Sequence, residues 1–493
     1  MTKQPSMTGR ALMAVGLMIG FYVLAIGIAF GLLWIPYAEF VYAGRLHLKL
    51  AFGCVVAGLA ILWSVIPRRD KFVPPGPRLE PAKHPRLFRE LNSIAVATGQ
   101  TMPQDVYLVS DVNAWVSERG GTMGFGSDRI MGLGLPLMRV LKVSELRAVL
   151  AHEFGHFHGG DTKLGPWIYK TRSAIGRTLA SLGSDSWIQK PFLWYGNLFL
   201  RITHAVSRQQ EYAADALAAR VAGARSLMTG LRTIHGAAMA HNAFWSGEVV
   251  PLLEAGYHPP MADGFARFLS AQNVAVSVEK SIDQELKEGQ GNPYDTHPPL
   301  RLRLAALEEF PAGQTREDEP AAITLLDNLK TLERDLLVAL AGADLAGKLK
   351  NLDWNDAGAK VYLPLWARQV KAYAPVLAGL TPERLPAMAK DPSPFRTHAQ
   401  KLAERQLSDE ELVNLAGGVI GCTLAVALAE RGCAMTCDVG MPICFQAGEF
   451  QIQPFSVVPA LREGKLTAES WQAQCAASGI LSQDLGALDL KTA

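Results

Sequence analysis

His152, Glu153 and His156 lie within one apolar stretch, SELRAVLAHEFGHFHGG, that opens at Ser144. Its spacing predicts a helix with Ser144 as N-cap, Glu145 suited to the positive helix end, and Gly159-Gly160 as the stop. Residues i and i+4 of a helix share a face, so both imidazoles can reach one zinc ion. Glu153 follows His152 directly, where its carboxylate can take a proton from a water beside such an ion. The bland reading is a half-exposed helix with satisfied histidines. Two uncoordinated imidazoles and a carboxylate would be costly to bury in so apolar a helix. His158 falls off the shared face and is not expected to bind metal.

A catalytic zinc takes three protein ligands and keeps one position open. Downstream, SRQQEYAADALAA carries Glu211 and Asp215 four apart on an expected helix. Glu211 is placed to be the third ligand. Asp215, one turn on, is placed to accept the free ring N–H of a zinc-bound histidine. The alternative is an ordinary acidic helix face. Asp161, just past the first motif, reads equally as another such acceptor or as a cap for the next helix.

The elements that must position these residues are short. Arg86–Thr98 has helical spacing, and Val106–Val112 and Arg129–Leu133 read as strands. Proline-rich Phe72–Pro85 and the polar stretch Phe310–Pro320 read as linkers. The expected fold is mainly α with a small β-sheet: a transmembrane hairpin over residues 1–71, a zincin-type domain over 72–309, and a mostly helical C-terminal unit over 321–493. In that last unit Ser408 and Glu411 form a capping box before an apolar helix ending near Gly432. A hairpin, ICFQAGEFQIQPF, and a helix capped by Thr467 follow. The unit shows no internal repeat and no catalytic motif.

The chain has 493 residues, is 49% hydrophobic and carries a net charge of +2. So even a balance argues against a nucleic-acid partner. Six cysteines exclude a disulfide scaffold. Cys433, Cys437 and Cys444 lack paired C-x-x-C knuckles and read as free thiols. The apolar excess gathers at the N-terminus. Ala11–Ile35 is free of charge and long enough to cross a bilayer. A second run, residues 47–66, is closed by Pro67, with Lys49 able to snorkel. Lys3, Arg10, Arg68, Arg69 and Lys71 flank the pair, while only Arg45 and Lys49 lie between them. That asymmetry predicts an integral membrane protein with its catalytic domain in the cytoplasm.

Taken together, AVLAHEFGHFHGGD, EYAAD and THPPLRLRLAALEE, in that order, resemble the HtpX-like and CAAX-prenyl-protease-like integral-membrane zinc metallopeptidases. The likeness covers about Pro81 to Glu309. It implies one zinc per chain held by His152, His156 and Glu211, with Glu153 as catalytic acid/base. DVNAWVS is similar to the family's edge segment, which implies that Asn113 and Ala114 bind substrate. HPPLRLR points to His297 and Arg303 as active-site neighbours. Pro298-Pro299 would start a helix near Leu300, leaving His297 on the loop before it and Arg303 near its first turn. There they would stabilise the developing oxyanion. The bland reading is an exposed loop histidine and a solvated arginine, and a second HPP occurs at His258.

Members of the family carry two further spans between the zinc motifs. Here that region, Leu164–Val206, is broken by Lys170, Arg172, Arg177, Asp185, Lys190 and Arg201. Its longest uncharged stretch, Pro191–Leu200, is too short to cross and reads as a surface-lying or a buried helix. The function expected is a membrane-anchored zinc endopeptidase acting on polypeptides, membrane proteins among them, in protein quality control. The rival is a non-catalytic membrane adaptor or chaperone with a structural zinc.

Overall fold

A computed structural model describes residues 7–66, 72–119, 128–157, 165–182, 186–289, 297–314 and 318–488. The chain folds as two compact units, Met1–Ala238 with Val278–Gly342, and Met239–Ser277 with Ala343–Ala493. The 239–277 segment therefore belongs with the C-terminal unit, and the chain returns to the first unit at Val278 and leaves it for the last time after the Leu329–Ala341 helix.

The first unit opens with two apolar helices, α1 (Met7–Ala43) and α2 (Leu48–Val65). Both are long and apolar enough to cross a membrane. α1 runs past the expected end at Ile35 and carries Pro36 inside it. A sheet follows with β1 (Arg78–Leu79), β2 (Asp105–Val109), β3 (Ala114–Arg119) and β4 (Asp128–Gly134), in the order β1-β2-β4-β3. β2 and β4 run parallel, and β3 and β4 antiparallel. β3 is thus an edge strand, paired with β4 alone among the described residues.

The expected linker at 72–85 proves to be partly built into this sheet. Arg78 and Leu79 pair with Tyr107 and Val106. The second expected linker is likewise pinned: Ala322 donates its N–H to Leu141 at 2.8 Å, and Val143 to Pro320 at 3.2 Å. Proline content marked these segments as non-helical, but not as unattached. Between them lie α3 (Pro85–Thr98), α4 (Leu135–Val140), the motif helix α5 (Val143–Gly155), α6 (Gly165–Leu182) and α7 (Gln189–Ala222).

α6 and the start of α7 pack against the apolar pair. Ala174, Ile175, Phe192, Tyr195 and Phe199 join Phe21, Ala25 and Ile61 in one core. Tyr195 donates its hydroxyl to Leu17 O at 2.6 Å, and Arg177 Nε donates to Ser64 O at 3.0 Å. A Cβ at Gly20 would come within 2.4 Å of the Tyr195 hydroxyl, so glycine there admits the tyrosine. The stretch 191–200 is one third of a long helix with Phe192, Tyr195 and Phe199 buried and Trp194 exposed.

The second unit is built around the Asp409–Glu430 helix, capped by the Ser408–Glu411 box as expected. Length and composition would let this helix span a bilayer, but its most apolar window is 67% buried inside the protein against 28% for α1 and for α2. Its neighbours include a three-stranded antiparallel sheet of Ala434–Thr436, Cys444–Ala447 and Phe450–Ile452. All six cysteines are free.

One wide π-helical turn, Trp245–Val249, places Glu248 where its Oε1 accepts the Gly440 N–H at 3.0 Å. Burial pushes the Glu248 carboxyl above its usual range. A carboxyl whose folded pKa is raised contributes stability at low pH and loses it as pH rises through that pKa. Glu248→Gln keeps the acceptor and removes the charge. It should therefore raise the melting temperature of the full chain in detergent near about pH 7, with the gain fading toward about pH 4. A gain independent of pH would show that the charge is not what is costly.

Candidate functional site

The motif helix is capped two residues earlier than expected. Lys142 is its N-cap, with its own N–H bonded to the Glu145 carboxylate at 2.9 Å, so Ser144 sits inside the first turn. The helix ends at Gly155 with His156 as C-cap, before the expected Gly159-Gly160 stop. His156 N still bonds His152 O at 3.3 Å, so the i, i+4 register of the two imidazoles holds.

The two motifs meet because α5 and α7 touch at backbone distance. A Cβ on Gly155 would fall 2.9 Å from Ala214 Cα. Glycine in H-E-F-G-H and alanine in E-Y-A-A-D thus allow the crossing. Gly155 and Ala214 are as visible in the sequence as the polar residues of the motifs, and they are its signal that the two helices can cross.

At the crossing, His152 Nε2 and His156 Nε2 stand 3.2 Å apart. Glu211 Oε2 lies 3.5 Å from the first, and Glu211 Oε1 lies 3.5 Å from the second. Donors on a tetrahedral zinc at about 2.0–2.1 Å are separated by about 3.3–3.4 Å, so this spacing suits that ion. Glu211 Oε2 is buried without a well-directed hydrogen bond, although His297 Nδ1 stands 3.0 Å away. Glu153 clusters with the same two histidines, all three offering ligand atoms within 4.8 Å of one another.

The electrostatics favour a cation here. Burial works against charge on His152, but the Asp215 and Glu211 carboxylates outweigh it and hold the ring up at about 9. A position that favours a proton this strongly would also favour a metal ion in its place. Burial, with charged His152 beside it, pushes His156 down to about 4, which leaves a neutral imidazole suited to ligation. Burial raises the Glu153 carboxyl to about 7. Glu211 is depressed: burial opposes its charge, but His152 and His297 outweigh that.

Asp215 takes the His152 Nδ1–H at 2.9 Å. Arg303 binds the same carboxylate with Nε at 2.8 Å and Nη2 at 2.6 Å. Its Nη1 is 3.7 Å from Glu211 Oε2. Arg303 is on the helix Leu300–Leu307, which starts where Pro298-Pro299 predicts, and its side chain is 6% exposed. His297, on the loop before it, is 65% exposed and reaches into the cleft from the surface. Asn113 is exposed and Ala114 buried at the start of β3, and β3 packs against the motif helix. Asp161 and His158 lie outside the described residues.

Residues 81–310 match the model of peptidase family M48. A protease HtpX homologue of Aeropyrum pernix is 30% identical over 251 residues, which are 45% of this chain and 74% of that protein. The chain belongs to peptidase family M48. An HtpX homologue of Acidiphilium cryptum is 30% identical over 249 residues, covering 46% of this chain and 75% of its own length. Protease HtpX of Idiomarina loihiensis is 29% identical over 166 residues, covering 30% and 56%. No solved structure matches the chain. As an HtpX-like M48 member with two N-terminal apolar helices, the chain is a metalloprotease integral to a membrane. The C-terminal residues after 310 fall outside the family match.

The Asp215–Arg303 pair is buried, and removing one partner of such a pair costs about 3–5 kcal/mol because the other is left uncompensated. Asp215→Ala should lower the unfolding midpoint of the full chain in detergent accordingly. Asp215→Asn, which keeps the shape, should weaken metal binding about 10–100-fold. Wild-type unfolding and metal retention in both variants would show that the carboxylate holds neither partner.

Proposed function

We propose that this M48 metalloprotease is a zinc-dependent endopeptidase in which His152, His156 and Glu211 hold one zinc ion per chain. The observation that carries the reading is that His152 Nε2 and His156 Nε2 stand 3.2 Å apart at a buried helix crossing, each 3.5 Å from one of the two Glu211 carboxylate oxygens. A zinc ion held there supplies a Lewis acid that polarises the peptide carbonyl and makes water acidic enough to attack it. Glu153 accepts the proton from the attacking water and passes it to the leaving amine.

His297 is the donor available to the developing oxyanion, since its side chain is largely exposed and its Nδ1 stands 3.0 Å from Glu211 Oε2. Arg303 contributes from behind: its guanidinium is committed to Asp215, and so it orients His152 through that carboxylate. The polypeptide substrate lies as an added strand along the open edge of β3, beginning at Asn113 and Ala114, which recognises backbone rather than side chains. Anchoring beside α1 and α2 suits membrane proteins as substrates and a role in their quality control.

Glu153→Gln preserves size and removes the base. It should keep the zinc and lose about 10²–10⁴-fold in peptide hydrolysis. Glu211→Ala should lose both metal and activity. Measuring zinc content and turnover together separates the readings: metal retained by Glu211→Ala moves the third ligand elsewhere. A wild-type chain that binds zinc but cleaves nothing, with Glu153→Gln unchanged, would favour a structural metal in an adaptor.

The lysine and arginine asymmetry around the apolar pair supports a cytoplasmic catalytic domain in a bacterial inner membrane. A membrane-impermeant thiol reagent on intact cells should spare Cys433 and Cys444 and modify them after permeabilisation. Labelling of intact cells would invert the topology.

A further inference from the structure

We propose that Arg129 is a positioning residue for the metal centre, acting through the Phe157 ring on His156. The proposal rests on the zinc site described above. Of the three donor side chains, that of His156 is the least enclosed, at 27% exposed against 7% for His152 and 6% for Glu211. It also stands at the very end of the motif helix, as the C-cap, where helical hydrogen bonding runs out. Packing around the ring therefore constrains His156 less than its partners, and the residue that follows it gains importance.

That residue is Phe157. Its N–H closes the last turn on Phe154 O at 3.0 Å. Its ring lies under the Arg129 guanidinium, with Arg129 Cζ 4.0 Å from the ring centroid. A guanidinium stacks on an aromatic face through both its charge and its plane.

Arg129 is itself held firmly. It belongs to β4, opposite Glu118 in the β3–β4 register. Its carbonyl accepts the Gln104 N–H at 2.8 Å. Its Nη1 points to Thr101 Oγ1 at 3.2 Å, Thr101 O at 3.3 Å and Gln100 Oε1 at 3.5 Å. The guanidinium thus ties the segment between α3 and β2 and the sheet to the last turn of the motif helix. A cation beside a helix C-terminus is also favourable toward the carbonyl groups that end there.

The test is zinc affinity of the purified full chain in detergent, measured by competition with a chelator. Arg129→Ala and Phe157→Leu should each weaken zinc binding by roughly 3- to 30-fold, the span of a partly desolvated cation–π contact. The double variant should lose no more than the worse single one, because both changes break the same contact. Arg129→Lys keeps charge without the plane and should recover only part of the loss.

Unchanged zinc affinity in Phe157→Leu overturns the proposal, and so does a double variant whose losses simply add. If Arg129→Ala does not fold, Phe157→Leu carries the test alone. A wild-type chain without zinc, or one whose zinc survives Glu211→Ala, overturns the metal site itself, and that outcome is distinct from a normal site indifferent to Arg129.

Discussion

Everything at the site follows from how closely α5 and α7 approach. With Gly155 over Ala214, the two backbones come near enough for Glu211 to stand between His152 and His156. A larger residue at either position would open the crossing and separate three donors that only function together. The same α7 carries Tyr195 into the core shared with α1 and Glu211 to the two histidines. The 16 residue steps from Tyr195 to Glu211 make about 24 Å of continuous helix. Membrane anchoring and chemistry are thus mounted on one rod, and the region between the motifs, broken by charges in the sequence, is the part that joins them.

Close approach alone would leave intolerable electrostatics. His152, Glu211, Asp215 and Arg303 are all buried. None would be tolerated alone in an interior of low dielectric. Each offsets another: Arg303 balances Asp215, Asp215 holds His152, and Glu211 is drawn to His152 and His297. What remains is an excess of carboxylate facing two imidazoles, which is the environment a divalent cation neutralises. One arginine far along the sequence thus balances Asp215, the carboxylate that holds His152.

Burial also decides between helices that composition cannot separate. α1 and the Asp409–Glu430 helix have mean hydropathies of 2.4 and 2.0, yet the first exposes most of its apolar surface and the second hides it in the core of its own unit. Hydropathy measures what a helix would like to leave water for. Whether lipid or protein receives it depends on the partners that the fold supplies.

The sequence by itself determined the local elements and the chemistry. The i, i+4 spacing of His152 and His156 and of Glu211 and Asp215, the Ser408 and Thr467 caps, the proline-led start of the Leu300 helix and the two apolar runs are properties of short segments, and short segments carry them intact. Tertiary structure alone decided the rest. It paired Arg78–Leu79 with β2 inside a stretch that reads as linker, and drew 239–277 into the C-terminal unit. It turned the Arg303 guanidinium onto Asp215, 88 residues away, and laid Arg129 over Phe157. Such contacts join residues distant along the chain, and no periodicity or propensity within a segment encodes which distant surface will meet it.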